Sequence, residues 1–263
     1  MIKKIFIYAT ILSFIWSCQT TEKIEDIDFL SVRQGKYYPY NNKKSKELIS
    51  IAENLDKESI SYSGDFTIKI VTGSKVKEIL NLEGKVYFSK PLNKIKILLS
   101  DAFFGLTFAK VISDRDKIEI RSSGSSNIHY QPMDDISLVD PKTKKTTVVP
   151  FPIIFYSLTS SFIEDFQKNK SYFSPEESRV LVKRGADEYQ YVFDGGKLES
   201  LEFYSKSKNM KAIAVMKENI IHPPRKLITK VTNLKTDEET NLISIQFKSL
   251  KRGIDIPESV FRF

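Results

Sequence analysis

From residue 60 onward, apolar and polar side chains alternate with a period of two. In "ISYSGDFTIKI", Ile60, Tyr62, Phe66, Ile68 and Ile70 take one side, and Ser61, Ser63, Asp65, Thr67 and Lys69 the other. In "KVKEILNLEGKVYFS", Val76, Leu80, Leu82, Val86 and Phe88 share a face opposed by Lys77, Asn81, Glu83 and Lys85. Such alternation predicts antiparallel strands that are dry on one side and wet on the other. "NKIKILLS", which carries Ile97, then "LTFAKVI", "DKIEIRS" and "SNIHYQ" continue the pattern. After a break come "SRVLVKR", "EYQYVFD", "LESLEFY", "KAIAVMK", "RKLITKV" and "LISIQFK". Asp194-Gly195-Gly196-Lys197 predicts a tight hairpin between two of them. The expectation is a mainly β chain with helices (α+β) and about 11 to 12 strands.

Two segments depart from that period. "SKELISIAENL" places Leu48, Ile51, Ala52 and Leu55 at i, i+3, i+4 and i+7, one apolar face of a short helix. The break spans residues 134 to 175. Within it Asp140-Pro141-Lys142 reads as a loop, and "PFPIIFYSLTSSFIEDF" as one helix opening on Pro150 and Pro152. Ile154, Phe155, Leu158, Phe162 and Phe166 fall within its broad apolar stripe. A helix this apolar, inserted in a run of strands, has to cover their apolar faces.

The N-terminus follows another logic. Met1-Ile2-Lys3-Lys4 is positive, Ile5 to Trp16 is apolar, and the small Ser17 precedes Cys18, the only cysteine. The apolar run is about twelve residues, short of the roughly 20 needed to span a bilayer. It reads as a signal peptide over residues 1–17. One cysteine excludes an intramolecular disulfide. Ile15-Trp16-Ser17-Cys18 resembles the bacterial lipobox, with Trp16 bulkier than the usual occupant of its position; the alternative is an ordinary signal peptide with an incidental cysteine. The resemblance implies lipidation at Cys18, and acyl chains hold a protein on a bilayer at about 0.8 kcal/mol per buried CH₂. The polar residues 18–42 then form a tether reaching at most about 80 Å, and residues 43–263 the domain. The length suits one β-rich domain and also admits two smaller ones.

Charge and chemistry narrow the function. The formal charge is +8, and removing Lys3 and Lys4 leaves +6, spread in small clusters. In an exported protein this favours solubility or anionic headgroups over nucleic acid. The two histidines, His129 and His222, lack metal-ligand spacing to Cys, His or carboxylates. There is no nucleophile elbow, phosphate loop or dinucleotide fingerprint. Asp134-Asp135 and Glu176-Glu177 read as caps or surface carboxylates. Nothing argues for an enzyme, a metal or a cofactor. What stands out is "KILLSDAFFGLTFAKV", a hairpin whose tip carries Phe103, Phe104 and Leu106. Hairpin tips are usually polar. Either these residues fold back under the helix, or they project, in which case each buried Phe is worth roughly 1.5–3 kcal/mol of membrane affinity.

In order along the chain, the first helix, "YSGDFTIKI", "LEGKVYFSKPLNKIKILLSDAFFG", the apolar helix, "YQYVFDGGKLESLEFY" and the closing "FKSLKRGIDIPESVFRF" resemble the LolA/LolB superfamily of lipoprotein-localisation factors, and most closely its anchored LolB-like receptor branch. The resemblance implies a curved, unclosed antiparallel half-barrel whose apolar concave face is covered by helices and receives acyl chains. It implies a groove lined by Phe66, Ile68, Leu82, Val86, Phe88, Ile97, Phe155, Leu158 and Phe162. It also implies a membrane-inserting loop at Phe103, Phe104 and Leu106, a LolA-like periplasmic carrier as partner, and an outer-membrane location in the cell envelope. Lys90-Pro91 departs from the carriers' Arg-Pro, whose arginine latches the lid through backbone carbonyls; a lysine has no planar fork and makes a looser latch. Two functions follow: a lipid-anchored protein binding acyl chains and assisting lipoprotein or lipid insertion, or an interaction lipoprotein whose groove is filled by its own side chains.

Overall fold

The computed structural model describes residues 36–73, 77–101, 107–122, 126–139, 146–220 and 222–263. These all lie in one compact unit, Gln34–Phe263. The described strands begin with β1 (Tyr38–Pro39), β2 (Tyr62–Thr72), β3 (Glu78–Ser89), β4 (Lys94–Asp101), β5 (Thr107–Ser113), β6 (Lys117–Ser122), β7 (His129–Pro132) and β8 (Ile136–Val139). They continue as β9 (Thr146–Val149), β10 (Lys170–Ser174), β11 (Arg179–Arg184), β12 (Asp187–Asp194), β13 (Lys197–Ser205), β14 (Met210–Lys217), β15 (Lys226–Asn233) and β16 (Glu239–Arg252). Among the described residues three α-helices accompany them: α1 (Lys46–Glu58), α2 (Phe151–Thr159) and α3 (Ile163–Lys168).

Fourteen strands make one antiparallel sheet in the order β1-β10-β11-β12-β13-β14-β15-β16-β2-β3-β4-β5-β6-β7, and β8 pairs with β9 alone. The sheet is curved and unclosed, with β1 and β7 at its edges. All twelve segments that alternate in the sequence form strands. The other four are short: β1, the hairpin β8–β9 inside the predicted break, and β10. β1 corrects the tether boundary, because Tyr38 pairs with Phe173 and Pro39 with Tyr172. The folded domain therefore starts before residue 43. Between β12 and β13, Gly195 and Gly196 take φ 52 and 77, the two positive angles that a type I′ hairpin requires.

Almost every neighbour in the sheet is joined by a short connection. Two connections are long: β1, at one edge, leads through α1 to β2 in the middle of the sheet, and the β7 edge leads through β8, β9, α2 and α3 to β10 near the opposite edge. The second of these carries the hairpin, α2 and α3 across the concave face. The segment predicted as a single helix is two. Ser160 adopts the left-handed conformation (φ 52) and its N–H closes on the Tyr156 carbonyl at 3.0 Å, ending α2. Nor is α2 amphipathic in use: all nine residues are buried, as expected of a helix apolar on every side.

After the break, α3 turns Phe166 onto Tyr191 (4.9 Å between ring centres) and Phe173 (5.8 Å). Asp165 is buried beside them. Its Oδ1 accepts from Arg184 Nε (2.7 Å) and Asn169 Nδ2 (2.8 Å), and its Oδ2 accepts from the Tyr191 hydroxyl (3.0 Å). The Arg184 guanidinium also lies against the rings of Tyr189 and Tyr156. Burial works to lower the Arg184 pKa, but Tyr191 and Asp165 reverse the sign and raise it. This cluster fixes α3 to β11 and β12.

On the other face of the sheet, the C-terminal residues Ile254, Ile256, Val260, Phe261 and Phe263 gather around Ile112 and Tyr87. Lys96 Nζ donates to the carbonyls of Val260 (2.7 Å) and Arg262 (2.6 Å), which holds the tail in place.

Candidate functional site

Between the sheet and the crossover lies a cavity whose walls are wholly apolar. β2 contributes Phe66, Ile68 and Ile70; β4 contributes Ile97 and Leu99; β5 contributes Val111; β16 contributes Ile243, Ile245 and Phe247. The roof is Ile136 and Val149 of the hairpin with Phe151, Ile154 and Leu158 of α2. The last three stand at i, i+3 and i+7, so one side of the lid helix faces the cavity.

The hollow depends on a glycine. β3 runs between β2 and β4, yet none of its side chains borders the cavity. At its centre Gly84 pairs with both Phe66 and Leu99. A Cβ there would stand 2.3 Å from Phe66 Cζ, so only glycine lets the Phe66 ring lie over this strand. Leu82 and Val86, two positions to either side, are buried but do not reach the cavity.

The cavity holds about 50 Å³. Its walls offer no hydrogen bond, so it stays dry, and it is about a third of the ~150 Å³ that takes up benzene. An acyl chain therefore needs more room than the cavity offers with the lid in this position. Three hydrogen bonds hold the lid's C-terminal end. Tyr62 donates its hydroxyl to the Leu158 carbonyl (3.0 Å), Ser59 Oγ donates to the Thr159 carbonyl (2.8 Å), and Ser161 Oγ donates to Asn93 Oδ1 (2.9 Å). Lys90 makes no lid contact of the expected kind; its Nζ binds Asp56 Oδ1 on α1 at 2.6 Å. The latch is built from hydroxyls instead. The hairpin end is held by Asn241 Nδ2 donating to the Val148 carbonyl (3.1 Å) and by Lys208, which pairs with Asp134 and Asp135.

His222 lies against Tyr62 and Phe88, at ring distances of 5.8 and 6.4 Å. Neither ring nitrogen reaches solvent or makes a hydrogen bond of acceptable geometry. The Leu158 carbonyl is near enough to favour a proton there, but burial dominates and pushes the imidazole down to about 3. The ring is neutral at ordinary pH.

Of the predicted groove residues, Phe66, Ile68, Ile97 and Leu158 border the cavity. Leu82, Val86, Phe88, Phe155 and Phe162 are buried in the same core without bordering it. Phe88 packs on Tyr62 at 5.6 Å, and Phe162 stacks on Phe166 beyond the helix break at 5.6 Å. Sequence reading missed the β16 wall and the hairpin roof. Cys18, Phe103, Phe104 and Leu106 lie outside the described residues. Among the described residues no cluster of His, Cys, Asp and Glu could hold a metal, and no helix is long and apolar enough to cross a membrane.

No protein-family model matches the chain, and no curated protein sequence matches it. Solved structures do. A DUF1329 family protein from Desulfovibrio piger is 12% identical, with a TM-score of 0.50, covering 84% of this chain and 98% of that one. A LolA superfamily protein from Nitrosomonas europaea is 8% identical, with a TM-score of 0.48, covering 83% and 97%. A domain provisionally assigned to outer membrane lipoprotein sorting in Vibrio parahaemolyticus is 11% identical, with a TM-score of 0.46, covering 82% and 97%. At these identities the likeness is one of fold, and the Desulfovibrio structure carries it.

Proposed function

We propose that this chain is an envelope lipoprotein, anchored through a lipid on Cys18, that takes up one acyl chain at a time under a movable lid. The observation that carries this reading is a cavity lined only by apolar residues and roofed by an apolar helix held at its end by hydrogen bonds. The chain's hydrophobic transfer, at about 0.8 kcal/mol per buried CH₂, offsets the loss of those bonds. No covalent step is involved. Phe103, Phe104 and Leu106 serve as the membrane-seeking tip through which cargo passes into the outer membrane. The donor would be a LolA-like periplasmic carrier, and the cargo another lipoprotein or a lipid.

A second reading has its own support. The cavity is small, which suits an interaction lipoprotein whose groove is filled by native side chains. The two are separated by transfer of a lipidated peptide to vesicles. The acyl-carrier reading expects Phe103→Asp with Phe104→Asp to abolish transfer while the protein stays folded. Unchanged transfer contradicts it. The anchor is tested separately: Cys18→Ala moves the protein from the membrane to the soluble fraction, and retention in the membrane rejects lipidation.

A further inference from the structure

A row of cations crosses the outward face of β3–β6. Along the register, Lys85 stands opposite Leu98, Leu98 opposite Lys110, and Lys110 opposite Arg121. The flanking Val86, Leu99, Ala109 and Val111 belong to the core, so the row faces out. Lys85 is exposed, and Lys110 and Arg121 are half-buried. Like charges directly opposite destabilise a strand pair, and Lys110 faces Arg121 in this way. The acids of this face are engaged elsewhere. Asp65, opposite Lys85 in register, accepts from Ser249 Oγ (2.8 Å), and Glu83 pairs with Lys248 (2.5 Å). Glu119, diagonal to Lys110, pairs with Lys117 (3.0 Å). Asp255 and Glu258 are exposed in the C-terminal tail, and among the described residues neither forms an ion pair with the row. Two of the cations rest on rings instead, Lys85 over Tyr87 and Arg121 over Phe263, which leaves their charge uncompensated. Beside the row, the Lys96 pKa is lowered first by burial and then by Lys110, so the positive charges repel one another here.

Charge and position select the partner. Four neighbouring strands spread the row over about 15 Å, which suits a surface of many anions better than one small anion. The row crosses β4 and β5 three residues, about 10 Å, from their ends at Asp101 and Thr107. Those ends lead into the loop read above as membrane-seeking. Half-buried Leu98 sits within the row and offers apolar surface beside the charges. Basic side chains held at an anionic leaflet each strengthen attachment. We propose that this row docks the domain on the phosphate headgroups of an anionic bilayer. The inference rests on the membrane-seeking reading of the loop only for the direction of approach.

The test is cosedimentation of residues 18–263 carrying Cys18→Ala with two kinds of vesicle. One is pure phosphatidylcholine, and the other is three parts phosphatidylcholine to one of phosphatidylglycerol. The expected result is saturable binding to the mixed vesicles, much weaker binding to the neutral ones, and a loss with added salt. Each of Lys85→Gln, Lys110→Gln and Arg121→Gln should weaken binding to mixed vesicles about fivefold, and the three together roughly a hundredfold. Arg121→Lys keeps the charge and should keep the binding. As a control, Lys197→Gln, Lys206→Gln and Lys235→Gln remove the same net charge from exposed positions at the β12–β13, β13–β14 and β15–β16 turns. That triple should cost less than about twofold. An equal loss from the two triples overturns the row as the site. So does unchanged binding in the row triple, or a row that holds inorganic phosphate or polyglutamate but not mixed vesicles. If Phe103→Asp with Phe104→Asp abolishes binding to both vesicles while the row triple changes nothing, the row fails and the membrane-seeking tip stands. Loss confined to mixed vesicles in the row triple, with fatty-acid uptake intact, supports the row independently of the cavity.

Discussion

The Tyr62 hydroxyl donates to the Leu158 carbonyl across 3.0 Å, tying the first long strand to the last turn of the lid. Both atoms are buried, and burial raises the Tyr62 pKa far above its ordinary value, so the phenol stays a donor at any physiological pH. Tyr62→Phe removes the bond and leaves the ring packing on Phe88 and Phe247 intact. A loss of about 1–3 kcal/mol is expected, because the Leu158 carbonyl is left buried and unpaired. Urea denaturation measures it. Stopped-flow uptake of a fluorescent fatty acid should be faster in the variant.

His222 makes stability depend on pH. Its imidazole sits at about 3 in the folded chain against an ordinary 6.5. Between those values the unfolded chain binds a proton that the folded chain refuses. Stability is therefore full above about pH 6.5 and declines as pH falls toward 3, by up to about 1.4 kcal/mol per unit. His222→Gln should flatten this slope by about 1 kcal/mol per pH unit between pH 6 and 4. Urea midpoints at several pH values report it, and parallel slopes for the two proteins would contradict the assignment.

Gly84→Ala drives a methyl into the Phe66 ring and towards the Leu98 carbonyl, 2.9 Å from the new atom. The expected cost is about 1–3 kcal/mol. Phe66→Leu in the same chain should recover part of it, and a double-mutant cycle measures the coupling. Additive effects would mean that the ring does not rest on this glycine.

Asp165→Ala strips the buried Arg184 charge of its carboxylate. Breaking one partner of a buried pair costs about 3–5 kcal/mol, so the variant should unfold at markedly lower urea. Asp165→Asn, which keeps an acceptor for Tyr191, should lose less.

Much of this was legible in the sequence, for a physical reason. Long strands with one wet face carry a period of two, and all twelve such segments were readable. β1, β8, β9 and β10 were not. β8 and β9 have four residues each, within the stretch read as a loop and a helix, and β1 has two. The lid break at Ser160 carries no glycine to announce its positive φ. Phe66, Ile68, Ile97 and Leu158, which border the cavity, each lie on a recognisable apolar face. Ile245 was missed because it meets Ile68 only through the pairing of β16 with β2, a neighbourhood that no local pattern encodes. His222 gave no signal at all. A histidine before two prolines reads as a surface turn, and its burial comes from Tyr62 and Phe88 far away in the chain.

The most direct measurement is equilibrium binding of a fluorescent fatty acid to residues 18–263 carrying Cys18→Ala. Saturable uptake, lost when Ile154→Trp fills the cavity and strengthened by Tyr62→Phe, is the predicted result. A protein that takes up no fatty acid, even with the lid freed by Tyr62→Phe, would contradict the account.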